Sequence, residues 1–147
     1  MIPEDIQNNL KKLEKSMYGH NYQVTFGLNV FDNCFNIDYA SKKIEEAYED
    51  IKAEKVTPAL VDKDDFWREV NYGLSYRGDY GAGLSLTKDK EKELEKEQAK
   101  YKDFISQFIN HKTQFYSYPY LEGVFWDYNF LLITGDKGLF VFGAASD

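Results

Sequence analysis

Few side chains in this sequence are spaced for chemistry. His20 and His111 stand far apart without an HxxxH partner, and the single Cys34 has no CxxC neighbour. None of the zinc or facial-triad spacings therefore occurs. No GxSxG is present, and Cys34 with a distant histidine is a pairing that almost any chain offers. Asp62, Asp64, Asp65 and Glu69 gather around one helix start. Paired carboxylates of this kind suit general acid–base work or a patch for a basic ligand, and equally they suit acids that complement a helix dipole. Trp67 lies among them. Downstream, Arg77, Asp79 and Tyr80 belong to a glycine-rich stretch whose Gly78-Asp79-Tyr80-Gly81-Ala82-Gly83 run is neither GxGxxG nor a Walker loop, since no Gly-Lys-Ser/Thr follows. It leads into a helix capped by Thr87, whose first N–H groups are open to an anion. Arg77-Gly78-Asp79 also spells an adhesion tripeptide, a match too short to carry weight.

These residues must be positioned by the elements around them. The chain is organised by its C-terminal stretch, residues 125–147. Trp126, Tyr128, Phe130 and Leu132 alternate with Asp127 and Asn129 before Leu131 and Ile133 fill the second face, which predicts a central strand. Residues 134–138 (Thr-Gly-Asp-Lys-Gly) interrupt, and residues 139–142 resume the apolar run, so the pair reads as an antiparallel hairpin. From the other end, Pro3, Glu4 and Asp5 open an amphipathic helix carrying Ile6, Leu10, Leu13 and Met17. Tyr22, Val24, Phe26, Leu28 and Val30 then form the cleanest period-two strand in the chain.

Ile37, Ala40, Ile44, Ala47, Tyr48 and Ile51 predict a helix over residues 38–55, closed by Thr57-Pro58. A short third helix follows Asp62, with Phe66, Trp67 and Val70 as its apolar residues. Residues 72–86 read as an irregular loop or as an edge hairpin with glycine bends. A long helix runs from Thr87 to about residue 110. Its first half is nearly all charge, with opposite signs at three-residue spacing, while Tyr101, Phe104, Ile105 and Phe108 anchor the second half. That first half is a solvated face or an arm for a partner. Residues 114–120 alternate as a strand, with Pro119 marking an edge or an end. The expected fold is α+β: a mainly antiparallel sheet with a C-terminal hairpin, packed by about four helices on one face.

At 147 residues the chain fits one domain, residues 1–147, able to fold without disulfide or metal. The longest uncharged apolar run is far too short to span a bilayer, and the first residues lack the pattern of a signal peptide, so a cytoplasmic protein is expected. A lone cysteine agrees with a reducing compartment. Net charge −7 and a pI near 4.9 argue against nucleic acid and leave a basic partner open. Only Arg68 and Arg77 stand beside the many lysines, the bias of an AT-rich genome, so the 17% aromatic content carries little functional weight.

A small acidic α+β chain, with the aromatic strand Phe125-Trp126-Asp127-Tyr128-Asn129-Phe130 entering a terminal apolar hairpin and a short Ala-Ser-Asp tail, resembles the immunity proteins of bacterial polymorphic and contact-dependent toxin systems. The resemblance implies a cytosolic protein that neutralises a cognate toxin by direct contact, without catalysis of its own. The alternative is a small-molecule-binding or enzymatic domain with a pocket between sheet and helices. No cofactor and no metal are expected, and the protein is a monomer or weak homodimer. Charge steers encounter and buried aromatics carry affinity. The expected contact surface for a protein partner, a basic toxin domain on the first reading, is therefore Asp62, Asp64, Asp65 and Trp67 with Arg77, Asp79 and Tyr80.

Overall fold

A computed structural model describes residues 2–50, 57–77 and 86–147. The chain runs α1 (Glu4–Ser16), β1 (Gln23–Phe31), α2 (Ile37–Ala47), β2 (Ala59–Val61), α3 (Lys63–Ser75), α4 (Lys88–Phe108), β3 (Gln114–Ser117), β4 (Trp126–Thr134) and β5 (Lys137–Ser146). The strands form one antiparallel sheet in the order β1-β5-β4-β3-β2. This is an α+β fold with its hairpin at the sheet centre. Gly135 and Asp136 make a two-residue turn between Thr134 and Lys137, which pair. β5 continues past the apolar run to Ser146, so the Ala-Ser tail is itself strand: Ala144 and Ala145 pair with both β1 and β4, and Ser146 with β1.

The period-two pattern of β1 sends Val24, Phe26 and Leu28 to one face, where they meet Phe130, Leu132, Leu139 and Val141 of the hairpin and the apolar stripes of α1, α3 and α4. Residues at three and four spacing supply those stripes: Ile6, Leu10 and Leu13 from α1, Phe66, Val70 and Leu74 from α3, Leu94, Tyr101 and Ile105 from α4. The opposite face carries a second core of Leu131, Ile133, Phe140 and Phe142, covered by Ala40 and Ile44 of α2, by Tyr118 and by Cys34. The helices thus occupy both faces, not one. Hydrophobic period identifies a buried stripe but not which side of a sheet it covers, so α2 was free to lie on either.

Three boundaries differ from the sequence reading. α2 ends at Ala47, well short of residue 55. Tyr48 leaves the helix with φ −127° and packs its ring edge-on against Phe140 and Phe142. The periodicity that Ile51 seemed to continue lies outside the described residues. β2 is a three-residue strand paired with β3, too short to show a period. α3 reaches Ser75, so the start of the expected loop at residues 72–86 is helix, and residues 78–85 lie outside the described set.

α4 is anchored earlier than its charge suggests. Leu94 and Glu97 are buried, Asn9 Nδ2 of α1 donates to the Glu97 carbonyl at 3.1 Å, and Gln98 Nε2 donates to Leu74 O at 2.7 Å. Among the described residues no helix is long and apolar enough to cross a membrane.

Candidate functional site

β3 and β4 differ in length, and that mismatch opens a cleft. β3 pairs only with residues 130–133 of β4, leaving residues 126–129 without a strand neighbour on that side. Residues 118–125 arch over the gap, tied to β4 by one backbone bond and by the side chains of Asn129 and Asp127. The Tyr118 N–H donates to Asn129 O at 3.0 Å. Asn129 then clamps Leu121 in both directions, its Oδ1 accepting from the Leu121 N–H and its Nδ2 donating to the Leu121 carbonyl, each at 2.8 Å. Asp127 Oδ2 accepts from the Gly123 N–H at 3.0 Å, and the Phe125 N–H donates to Ala145 O at 3.0 Å. Glycine is required at 123, because a Cβ there would stand 2.1 Å from Trp126 O and 2.7 Å from Ala145 O. Pro119, lacking an N–H, sits where the ladder has ended.

Between this strap, β4 and α3 lies a cavity of about 530 Å³, walled by Glu69, Tyr120, Glu122, Asp127, Tyr128 and Asn129 among others. α3 supplies its far wall. With Phe66, Val70 and Leu74 turned into the core, the helical period leaves Asp65, Glu69, Tyr72 and Tyr76 on an adjoining stripe, four, three and four residues apart. Gly73 lets the helix lie on the start of β4; a Cβ there would come within 2.7 Å of the Trp126 ring.

The stripe is acidic at one end and aromatic at the other. Tyr72 stacks on Tyr76 at 5.9 Å, Tyr76 meets Phe125 at 6.0 Å, and Phe125 meets Tyr22 edge-on at 5.2 Å. Trp126 Nε1–H donates to the Tyr22 hydroxyl at 2.7 Å and ties this rim to the core. Tyr72 is 54% exposed and Val124, next to Phe125, 69% exposed. At the acidic end the Glu69 carboxyl is held above the ordinary range. Loss of hydration against the wall is the main cause; Arg68 opposes it, and Asp127 and Asp65 reinforce it. The Arg68 guanidinium is engaged with Asp65 at 2.5 Å. Beneath the cleft, the hydroxyls of Tyr128 and Tyr101 meet at 2.5 Å, fully buried, and burial pushes both phenols well above their ordinary range.

The residues expected to form a contact surface take varied places. Asp62 heads α3 in extended conformation, but its side chain makes no capping bond. Asp64 is exposed in the first turn, and Asp65 pairs with Arg68, so both complement the helix start. Trp67 is half-buried against the core, edge-on to Phe66 at 5.0 Å. Arg77 is committed to structure: its Nη1 donates to the Leu74 and Tyr76 carbonyls at 2.8 and 3.3 Å, and its Nη2 meets Glu91 at 2.9 Å, closing α3 and tying it to α4. Asp79 and Tyr80 lie outside the described residues. Of the acids read from sequence, Asp65 and Glu69 join the stripe. Glu122, Asp127, Asn129, Tyr72 and Phe125 were missed, and the usable signal was the four-three-four spacing through Tyr72 and Tyr76.

Among the described residues no three of His, Cys, Asp and Glu are placed to hold a metal. His20 and His111 are exposed. Cys34 is fully buried, its thiol pushed up chiefly by that burial. The carboxyl groups of Glu69, Glu122 and Asp127 line the cleft, and the exposed Tyr72 stands on the stripe beside it.

Compared with protein-family models the chain matches none, and no curated protein matches it. Among the solved structures that share its fold are two crystal structures of citrus MAF1. One, in space group C 2 2 21, has TM-score 0.53 and 11% identity over 92% of this chain and 98% of that one. The other, in P 31 2 1, has TM-score 0.52 and 12% identity over 95% and 97%. This finding corrects the functional expectation: these two structures are of MAF1 and not of toxin immunity proteins, and the immunity reading does not stand. At this identity the likeness is one of fold.

Proposed function

We propose that this chain is a protein-binding module whose cleft receives a lysine- or arginine-bearing segment of a partner protein, held by the tyrosine rim beside it. One observation carries the reading: the exposed Tyr72 stands on the same helix stripe as Glu69, whose carboxyl is held above its ordinary range chiefly by loss of hydration, with Asp127 adding to it. Like charges in such a place are relieved by an incoming cation, and rings already stacked lose little freedom when a partner covers them. The net charge of −7 steers a basic segment toward this surface from a distance. Because a shared fold assigns no partner, the proposal rests on the surface itself.

Binding of lysine- and arginine-rich peptides, against charge-neutral controls of matched length, tests it by fluorescence anisotropy and stopped flow. Cationic peptides should bind selectively and more weakly as salt rises. Glu69→Gln with Asp127→Asn should lower the on-rate, and Tyr72→Ala should raise the off-rate. Because the Glu69 carboxyl is held up, affinity should fall as the pH drops through its raised range. Equal binding of neutral and cationic peptides, or variants indistinguishable from wild type, would sink the proposal.

A further inference from the structure

The strap of residues 118–125 is fixed on both sides of a single residue. Before that residue, the Tyr120 ring is seated among Tyr48, Phe140 and Phe142 at centroid distances of 5.2, 5.8 and 5.1 Å. Asn129 then takes both backbone groups of Leu121 at 2.8 Å. After it, Asp127 Oδ2 holds the Gly123 N–H, the Val124 N–H donates to Ser146 Oγ at 3.4 Å, and the Phe125 N–H donates to Ala145 O. Glu122 stands between these anchors, exposed, and lines the cleft.

The two strand residues that hold the strap are not equivalent. Asp127 and Asn129 lie two apart, on one face of β4. A carboxylate only accepts, so Asp127 holds one N–H and keeps acceptor sites to spare for a cation. An amide both accepts and donates, so Asn129 closes on an N–H and a C=O together. An ionised aspartate at 129 would keep the first of these bonds and set an oxygen against the Leu121 carbonyl at the second. Resting on the reading of the cleft as the site of a lysine- or arginine-bearing segment, we propose that Asn129 is its positioning residue: the amide sets the strap so that the Glu122 carboxylate joins Glu69 and Asp127 in facing the incoming cation. Glu122 is then a third determinant of affinity, carried by the strap and not by α3 or β4.

Anisotropy with the lysine-rich peptide and amide exchange, both on the full chain, test this. Asn129→Asp adds a negative charge beside the cleft, which by charge alone would tighten the peptide. If Asn129 positions the strap, the variant instead binds at least about twofold more weakly, with faster exchange at Leu121. Glu122→Gln should bind about two- to fivefold more weakly with Leu121 exchange unchanged, and should add little in the Asn129→Asp background. A pH series separates positioning from loss of fold. Once protonated, the introduced carboxyl both accepts and donates, so the deficit against wild type should shrink as pH falls through the carboxylate range. If Asn129→Asp does not fold, wild type decides, because binding must suppress any opening that weakens it: saturating peptide should slow exchange at Leu121, and unchanged exchange overturns the proposal. A folded Asn129→Asp that binds as tightly as wild type, or a Glu122→Gln indistinguishable from it, also overturns the proposal, while selective binding of cationic peptides by wild type leaves the reading of the cleft intact. Wild type without that selectivity sinks both.

Discussion

Replacing Tyr101 by Phe removes one hydroxyl from a pair that has no access to water. Tyr101 on α4 and Tyr128 on β4 are both fully buried, and their hydroxyls meet at 2.5 Å. Tyr101→Phe therefore leaves the Tyr128 hydroxyl without that partner, and an orphaned buried hydroxyl costs about 1–3 kcal/mol. Tyr128→Phe should cost the same by symmetry. The double variant is different, since it removes both polar groups, keeps both rings and leaves nothing to satisfy. It should cost less than either single change. For a chain of this size about 1 kcal/mol moves Tm by about 2–4 °C, so each single variant should melt about 2–12 °C lower.

Guanidinium melts and calorimetry on the four proteins read this directly. The pair also sets a pH dependence. Burial holds both phenols above the ordinary value for tyrosine, about 10, so above pH about 10 the unfolded chain releases protons that the folded chain keeps. Stability should then fall as pH rises past about 10, by up to about 1.4 kcal/mol per pH unit for each phenol, and the double variant should lack that part of the slope. Additive single costs, with the double variant at their sum, would refute the hydroxyl pairing.

Other expectations concern the second core. Phe140 is fully buried among Tyr48, Tyr118, Tyr120 and Phe142, so Phe140→Ala should cost about 3–5 kcal/mol in denaturant melts. A loss under about 1 kcal/mol would show that the hairpin is not central. Asn36 Oδ1 accepts from the Asp38 and Tyr39 N–H groups at 3.0 and 3.1 Å, so Asn36→Ala should cost about 1 kcal/mol and shorten the protected part of α2 in amide exchange.

What the sequence determined by itself is the set of elements whose signal is local. The alternation in β1, the apolar hairpin with its Gly135–Asp136 turn, and Thr87 at the head of α4 all act within a few residues. Each appears where it was read, down to Thr87 Oγ1 accepting from the Lys90 N–H at 3.3 Å. The core residues Val24, Phe26, Leu28, Phe130, Leu132, Phe140 and Phe142 are buried for the same reason. Tertiary structure decided the rest. Tyr48 ends α2 because a cluster of distant rings receives it, and three-residue β2 exists because β3 pairs with it. Glu69 and Asp127 share a wall because the short β3 leaves half of β4 uncovered and Asn129 pins the strap above it. No periodicity joins residues so far apart along the chain. Their approach depends on which strands pair and for how long, and that is settled only when the whole sheet closes.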